Sequence, residues 1–591
     1  MCDIFEEISL KQVLRDLIRQ ALDQLCEQKV LEPGDNDIIK IEKTRDKQHG
    51  DFATNIAMLL SGRTGIKPRQ LAEKIISCIP ASGLVEKIDV AGPGFINFYL
   101  ARHAYLEIIG NILAAGKTFG YSGYGKGKSI LIEFVSANPT GPLHIGHGRG
   151  AAYGAATANM LEAIGYKVTR EYYINDAGRQ MDILAISVYL RYLQKCGVSI
   201  HLPEKAYQGE YVKLIADKIY EEKKESLIKD HSKLDTSLHN ETDSEKQLDS
   251  LIEYIKGSLG IENYQFIFNA GLNEILEDIN NDLEEFGVVY NHWFSERSLL
   301  ASDDVKTCIN VLRKNGHLYE ADGALWFRST DFGDEKDRVV IRDNGELTYF
   351  ASDIAYHKTK FDRGFDRAID VWGADHHGYM SRIKAALSAL KLDQQKLDIL
   401  LVQFASLYRG KTRVQMSTRS GQFVTLRELR EEVGKDASRF FYIMRKNDQH
   451  LDFDLELAKS RSQDNPVYYI QYAHARICSI KRQMQEKGFR FSLVTDSAEL
   501  AILDETHELT LLARLAAYPE TVLEAANNYE PHQIGYYLRD LAHEFHTYYN
   551  ACQILVDDEK LRNARVSLVS AIKQVIQNGL FLLGVSAPEA M

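Results

Sequence analysis

Two histidines three residues apart, His144 and His147, stand in "FVSANPTGPLHIGHGRGAAYG" (134–154), a run rich in glycine, proline and alanine. The preceding "ILIEFV" reads as a buried parallel strand, and the small and apolar residues that follow suit a helix. The pair therefore falls where a loop leaves a strand and opens a helix, a place where backbone amides and the helix dipole attract anions. Gly141, Gly146, Gly148 and Gly150 would let a phosphate come close to the backbone. Two imidazoles could then donate hydrogen bonds to phosphate oxygens as negative charge grows on them. The same spacing can also place two histidines on one metal ion, but a metal needs further ligands, and Asp375, His376 and His377 form the comparable cluster. Two histidines can equally well only pack, and spacing alone leaves all three readings open.

The elements that must position these residues follow from the pattern along the chain. Its 591 residues exceed one hydrophobic core, so several domains are expected. Residues 1–115 read as a small N-terminal α/β module, with an amphipathic helix around Leu10–Cys26 and a strand in "GFINFYL". Residues 116–460 read as a Rossmann-like, parallel-sheet domain. Its strand, loop, helix, strand order ("ILIEFV" to "KVTREYYI") is a βαβ unit, interrupted by a charged helical insertion over about 184–290. Strands return in "DRVVIRDNGELTYF", with a hairpin expected at Asn344-Gly345, in "RAIDVWG", and in "LDILLVQFASLY", read as one strand. Residues 461–591 show only helical periodicity, with Val566, Val569, Ile572, Val575 and Ile576 on one face. Seven cysteines without a CxxC pair argue against a disulfide framework or a cysteine zinc site, and the lack of an apolar run of about 18 residues predicts a cytoplasmic protein without a membrane partner. The net charge of −12 speaks to solubility more than to any one surface. Residues 405–450 carry ten Lys/Arg against five Asp/Glu, room for a phosphate-binding face.

Taken together, "IEFVSANPTGPLHIGHGRGA", "YYINDAGRQM", "WGADHHGY", "YIQYAHARI" and the ending "LLGVSAPEAM" resemble the bacterial arginyl-tRNA synthetases, class I aminoacyl-tRNA synthetases, over essentially the whole chain. The resemblance implies two steps. Arginine's carboxylate attacks the α-phosphate of ATP, and the terminal 2′-hydroxyl of tRNA(Arg) then takes the arginyl group. By resemblance, His144 and His147 stabilise the α-phosphate, Gly146 leaves room for the adenine, and Gly373, Asp375 and His376 line the ATP site. Guanidinium is a planar fork of donors that carboxylates meet bidentately. The resemblance assigns it to Glu133, Tyr349 and Asp353, and the other end of L-arginine to Asn138. Glu133 is costly to bury alone, so a buried pair with a protein Arg or Lys is the alternative. Magnesium is expected with ATP, without an all-protein metal site. The helical C-terminal domain is expected to bind the anticodon through residues such as Tyr468, Tyr472 and Arg476, and "GDFATN" (50–55) to approach the tRNA elbow. A monomer is expected. The second class I signature departs from its usual form. Met416 and Ser417 are expected to contact ATP, but Gln415 and Thr418 replace its two lysines, and Gly141 stands where another subgroup carries a lysine. Arg419, assisted by Lys411 or Arg413, is the expected replacement cation.

Overall fold

The structure, a computed structural model, describes residues 10–32, 38–44, 46–229, 243–414 and 424–591, which form two compact units. One unit, 127–158 with 166–460, is built on a five-stranded, all-parallel sheet. Across the sheet the strands run Leu397–Val402, Arg367–Gly373, Ser129–Phe134, Lys167–Ile174 and His292–Ser295. The strand that is first in sequence lies in the middle. The chain proceeds outward from it on one side and later on the other, so its carboxyl end is the switch point where α/β sheets bind ligands. Ile130 to Phe134 are all buried, which explains the apolar run. The helix Ile145–Ala163 follows directly.

The insertion consists of helices Arg179–Lys195, Glu210–Lys223 and Ser244–Glu285, the last broken at Gly260, whose φ is 72°. The segment "LDILLVQFASLY" is two strands rather than one. Leu397–Val402 closes the parallel sheet, and Ala405–Arg409 belongs to a second sheet with Thr412–Arg413 and Leu451–Asp454. The break falls at Gln403, whose N–H goes to the Asn447 carbonyl (2.8 Å). The hairpin expected at Asn344-Gly345 is reduced to a bridge between Ile341 and Leu347, because Thr348 already caps the helix Tyr349–Asp362 through the Ala351 N–H.

The other unit joins residues from both ends of the chain, 1–126 and 461–591, with 159–165. Its N-terminal segment packs helices Leu10–Glu27, Ile56–Thr64 and Pro68–Cys78 on a four-stranded antiparallel sheet around Leu14, Ile18, Leu71, Ile75 and Phe98. Val85–Ala91 is a strand there that periodicity did not reveal. Its C-terminal segment is helical, with Pro466–Glu486, Pro531–Ala551 and Glu559–Leu582 the longest elements. Among the described residues no helix is long and apolar enough to cross a membrane.

Candidate active site

The strand Ser129–Phe134 ends in a strained turn. Val135 (φ 70°) and Ser136 (φ 41°) both adopt left-handed backbone, which costs on the order of 1–3 kcal/mol each and marks functional turns. Three hydrogen bonds hold them there. Ser136 Oγ donates to Glu133 (2.9 Å) and accepts from the Tyr173 N–H (3.1 Å), and Tyr172 OH donates to the Ala137 carbonyl (2.9 Å). The turn delivers Asn138 to the surface, where its amide donates to Gln180 (2.7 Å).

His144 and His147 lie ring on ring, centroids 3.7 Å apart with 20° between planes. The Gly146 N–H donates to His144 Nδ1 (3.0 Å) and the His144 N–H to His147 Nδ1 (3.3 Å), so each ring carries its proton on Nε2. Burial lowers the pKa of His144. It pushes His147 down to about 3, with His144 adding to the effect. Both rings are thus neutral donors near pH 7, stacked rather than converged on one point as a metal would require. Among the described residues no three His, Cys, Asp or Glu side chains gather to hold a metal ion.

A cavity of about 300 Å³ opens at these rings, lined by Asn138, His144, Gly146, His147 and Gly150 on one side and by Gly373, Asp375, His376 and Gln403 on the other. The structure therefore gathers the expected nucleotide residues, Met416 and Ser417 aside. A larger cavity of about 1080 Å³ adjoins it, between the turn 137–147 and the insertion, where Tyr211 OH donates to the Thr140 carbonyl (2.7 Å). The glycines divide by role. A Cβ on Gly146 would come within 2.8 Å of the His144 ring, on Gly148 within 2.8 Å of Leu426 and Tyr442, and on Gly141 3.0 Å from Tyr211 OH. These three make room for protein, whereas Gly150 faces open space in the cavity.

Glu133 is not left waiting for a cation. Lys360 Nζ (2.6 Å) and Tyr356 OH (2.9 Å) both donate to its Oε2, and the same ammonium donates to Asp370 (2.6 Å). Burial would push Lys360 down, but Asp370 and Glu133 outweigh it and the ammonium stays charged. His357 completes the chain, with Nε2 on Asp370 (2.9 Å) and Nδ1 on the Asp353 carbonyl (2.7 Å). The buried pair left open by the sequence is thus present.

Around Asp353 lies a carboxylate that sequence reasoning missed. Glu296, 4% exposed at the carboxyl end of His292–Ser295, has its Oε2 buried without a hydrogen-bond partner among the described residues, as does the nearby Tyr173 hydroxyl. Burial, then Asp353 and Asp176, push Glu296 up to about 7. Burial also raises Asp353, against the hydroxyl that Tyr379 donates to it. Tyr349 stands at the exposed start of the same helix, with its hydroxyl against Gly178, where a Cβ would meet it at 2.8 Å. The available signal was positional: Glu296, like Glu133, sits at the carboxyl edge of a parallel strand.

Lys411 and Arg413 lie on the exposed turn and strand beyond Ala405–Arg409. Gln415, Met416, Ser417, Thr418 and Arg419 fall outside the described residues. In the other unit, Tyr468 and Tyr472 stack (6.0 Å, 9°), and the Arg476 guanidinium lies 4.6 Å from both the Tyr472 and Tyr549 rings. His546, pushed down to about 4 by burial, receives an Arg476 N–H (3.1 Å).

Comparison with known proteins agrees with this geometry. Residues 12–100 match the arginyl tRNA synthetase N terminal domain, residues 108–463 the class I (R) tRNA synthetase catalytic domain, and residues 470–591 the DALR anticodon binding domain. An arginine–tRNA ligase of Thioalkalivibrio sulfidiphilus is 58% identical over 98% of this chain and all of its own, and one from Coxiella burnetii is 53% identical over 99% of each. The solved arginyl-tRNA synthetase of Thermus thermophilus shares the fold, with a TM-score of 0.73 and 23% identity over 98% of this chain and all of that one. Matched in three successive segments and along its length, the chain belongs to the arginyl-tRNA synthetases of class I, ATP-using enzymes that join arginine to tRNA.

Proposed function

We propose that the family's reaction runs at the smaller cavity, with the Nε2–H groups of His144 and His147 as the donors to the α-phosphate. The carboxylate oxygen of arginine forms its bond to phosphorus as the bond to the pyrophosphate oxygen breaks, and charge accumulates on the equatorial oxygens. Neutral, pre-oriented donors answer that charge without reorganising. The observation that carries this reading is the pair of Nδ1 atoms already occupied by backbone N–H groups, which fixes the proton of each ring on Nε2. Gly373, Asp375 and His376 take the ribose side, and Asn138 the α-amino or carboxylate end of arginine. Met416, Ser417 and Arg419 keep the ATP-facing role that the signature implies. Magnesium bound to ATP would offset the charge of its phosphates.

For the guanidinium, the partners supported best are Asp353 and Glu296, with Tyr349 over the entrance. Glu133 is already taken by Lys360. The larger cavity has the size and place to receive the 3′ end of tRNA, and Tyr468, Tyr472 and Arg476 the aromatic and basic character to stack anticodon bases. The enzyme acts as a cytoplasmic monomer. Arginine-dependent ATP–pyrophosphate exchange, with tRNA(Arg) present, tests the chemical assignment. The His147→Ala enzyme should bind ATP and arginine but exchange on the order of 10²–10³ more slowly, and exchange at the unaltered rate would remove the histidines from the chemistry.

A further inference from the structure

Arg149 lies two residues beyond His147 on the same helix and is 1% exposed. A buried guanidinium normally meets a carboxylate, because taking its charge out of water costs several kcal/mol. Here its partners are three backbone carbonyls. One guanidinium nitrogen donates to Gln403 (2.7 Å) and Gln449 (2.8 Å), the other to Lys446 (2.9 Å). The Gln403 carbonyl belongs to the break between Leu397–Val402 and Ala405–Arg409, and Gln403 lines the same cavity as His144 and His147. Lys446 and Gln449 flank the turn that enters Leu451–Asp454, the partner strand of Ala405–Arg409. Asn447 closes the knot, with its amide on the Leu401 carbonyl (2.8 Å) and its own carbonyl on the Gln403 N–H (2.8 Å). Past the second signature, the chain is bound to the histidine helix again by backbone: the Ile145 N–H to Val424 and the Leu426 N–H to Leu143. Arg439 is buried on carbonyls too, those of Phe286 and Gly287, but neither lines this cavity. Its neighbourhood, not its burial, sets Arg149 apart.

We infer that Arg149 is a positioning residue for adenylate formation: its guanidinium ties the helix that bears His147 and directly follows His144 to the Gln403 turn, and so fixes the distance between the two walls of the nucleotide cavity. It touches no reacting atom. Losing it should leave arginine binding intact and misplace the histidines relative to the α-phosphate, an error to which rate is far more sensitive than affinity. Lysine, with three donors on one charged nitrogen, can reach part of the same carbonyl set.

The test is pyrophosphate exchange by full-length Arg149→Met and Arg149→Lys in the presence of tRNA(Arg), with arginine binding by calorimetry and the melting temperature of each. The expected result is a kcat lowered about 10²-fold in the methionine variant, KM for arginine within about threefold of the parent, and substantial recovery of kcat in the lysine variant. Asn447→Ala loosens the same turn with Arg149 in place. It should also lower kcat alone, and combine less than additively with Arg149→Met. If Arg149→Met is insoluble, Asn447→Ala decides. A kcat within about threefold of the parent in the soluble variants would overturn the inference. So would a joint fall of kcat, arginine affinity and melting temperature that lysine does not relieve, since that is the mark of general fold support.

Discussion

His144 and His147 are half-buried and stacked on each other, desolvation favours their neutral forms, and this decides what they can contribute. A histidinium would bind the ground-state phosphates as well as the transition state; a neutral donor with a fixed tautomer favours the charge that develops. Alanine at either position should therefore lower kcat on the order of 10²–10³ with little change in KM for ATP. Because burial pushes His147 down to about 3, the chemical rate of the parent should show no ionisation of that ring between pH 6 and 8; single-turnover adenylate formation across that range checks it. Glu296 behaves oppositely. Burial pushes its carboxyl up to about 7, so a guanidinium bound there, as proposed, would displace a proton in part of the population, and affinity for arginine should rise as pH climbs from 6 to 8. Glu296→Gln should weaken arginine binding and flatten that slope, measured by calorimetry at both ends. The stability sign is fixed too. A carboxyl raised on folding stabilises below its unfolded value, near 4.5, and that contribution is lost as pH rises through about 7. Above pH 7 the glutamine variant should melt higher than the parent; a lower melting temperature would place a partner on Oε2.

The elements were legible where periodicity and burial agree. The buried run 130–134 announced the central strand and the glycine-rich turn behind it announced the anion end, because a parallel strand covered on both faces can be little else. Gln403 was not legible as a break, since "LDILLVQFASLY" is apolar on both sides of it and only tertiary partners, Arg149 on its carbonyl and Asn447 on its N–H, explain why the chain leaves the sheet there. Glu133 was read correctly as a buried acid, but the cation that meets it comes from Lys360, 227 residues away, which no local pattern predicts. Glycine roles were also hidden, for sequence cannot tell a residue that admits a phosphate from one that admits a neighbouring ring. The structure separates them, and two substitutions test the separation. Gly148→Ala forces a methyl against Leu426 and Tyr442, an overpacking cost of about 1–3 kcal/mol, and should lower the melting temperature. Gly150→Ala meets nothing within 4 Å and should keep the melting temperature, while its methyl in the cavity raises KM for ATP.

At the scale of the whole molecule, an acidic chain of net charge −12 has to bind a polyanion, so the charge that matters is local. Arg476 is not a free phosphate hook. Its guanidinium is held between the Tyr472 and Tyr549 rings and donates to the Tyr472 hydroxyl (3.0 Å), which leaves it a stiff, flat, partly desolvated surface continuous with the Tyr468–Tyr472 stack. Such a surface suits base stacking, and stacking energy depends little on salt, whereas phosphate contacts release counterions and weaken steeply as salt rises. The two contributions can therefore be told apart in one experiment. Tyr472→Ala removes the ring that both Tyr468 and Arg476 lean on, and should raise KM for tRNA by roughly one to two orders of magnitude, the value of one stacked base at about 1–3 kcal/mol. The dependence of that KM on salt should keep the slope of the parent, since no phosphate contact is lost. Pyrophosphate exchange at saturating tRNA should stay at the parental rate, because the residues proposed for adenylate formation lie in the other unit. A shallower salt slope in the variant would instead mean that the tyrosine holds Arg476 against a phosphate, and an unchanged KM would take this face of the helical segment out of tRNA recognition.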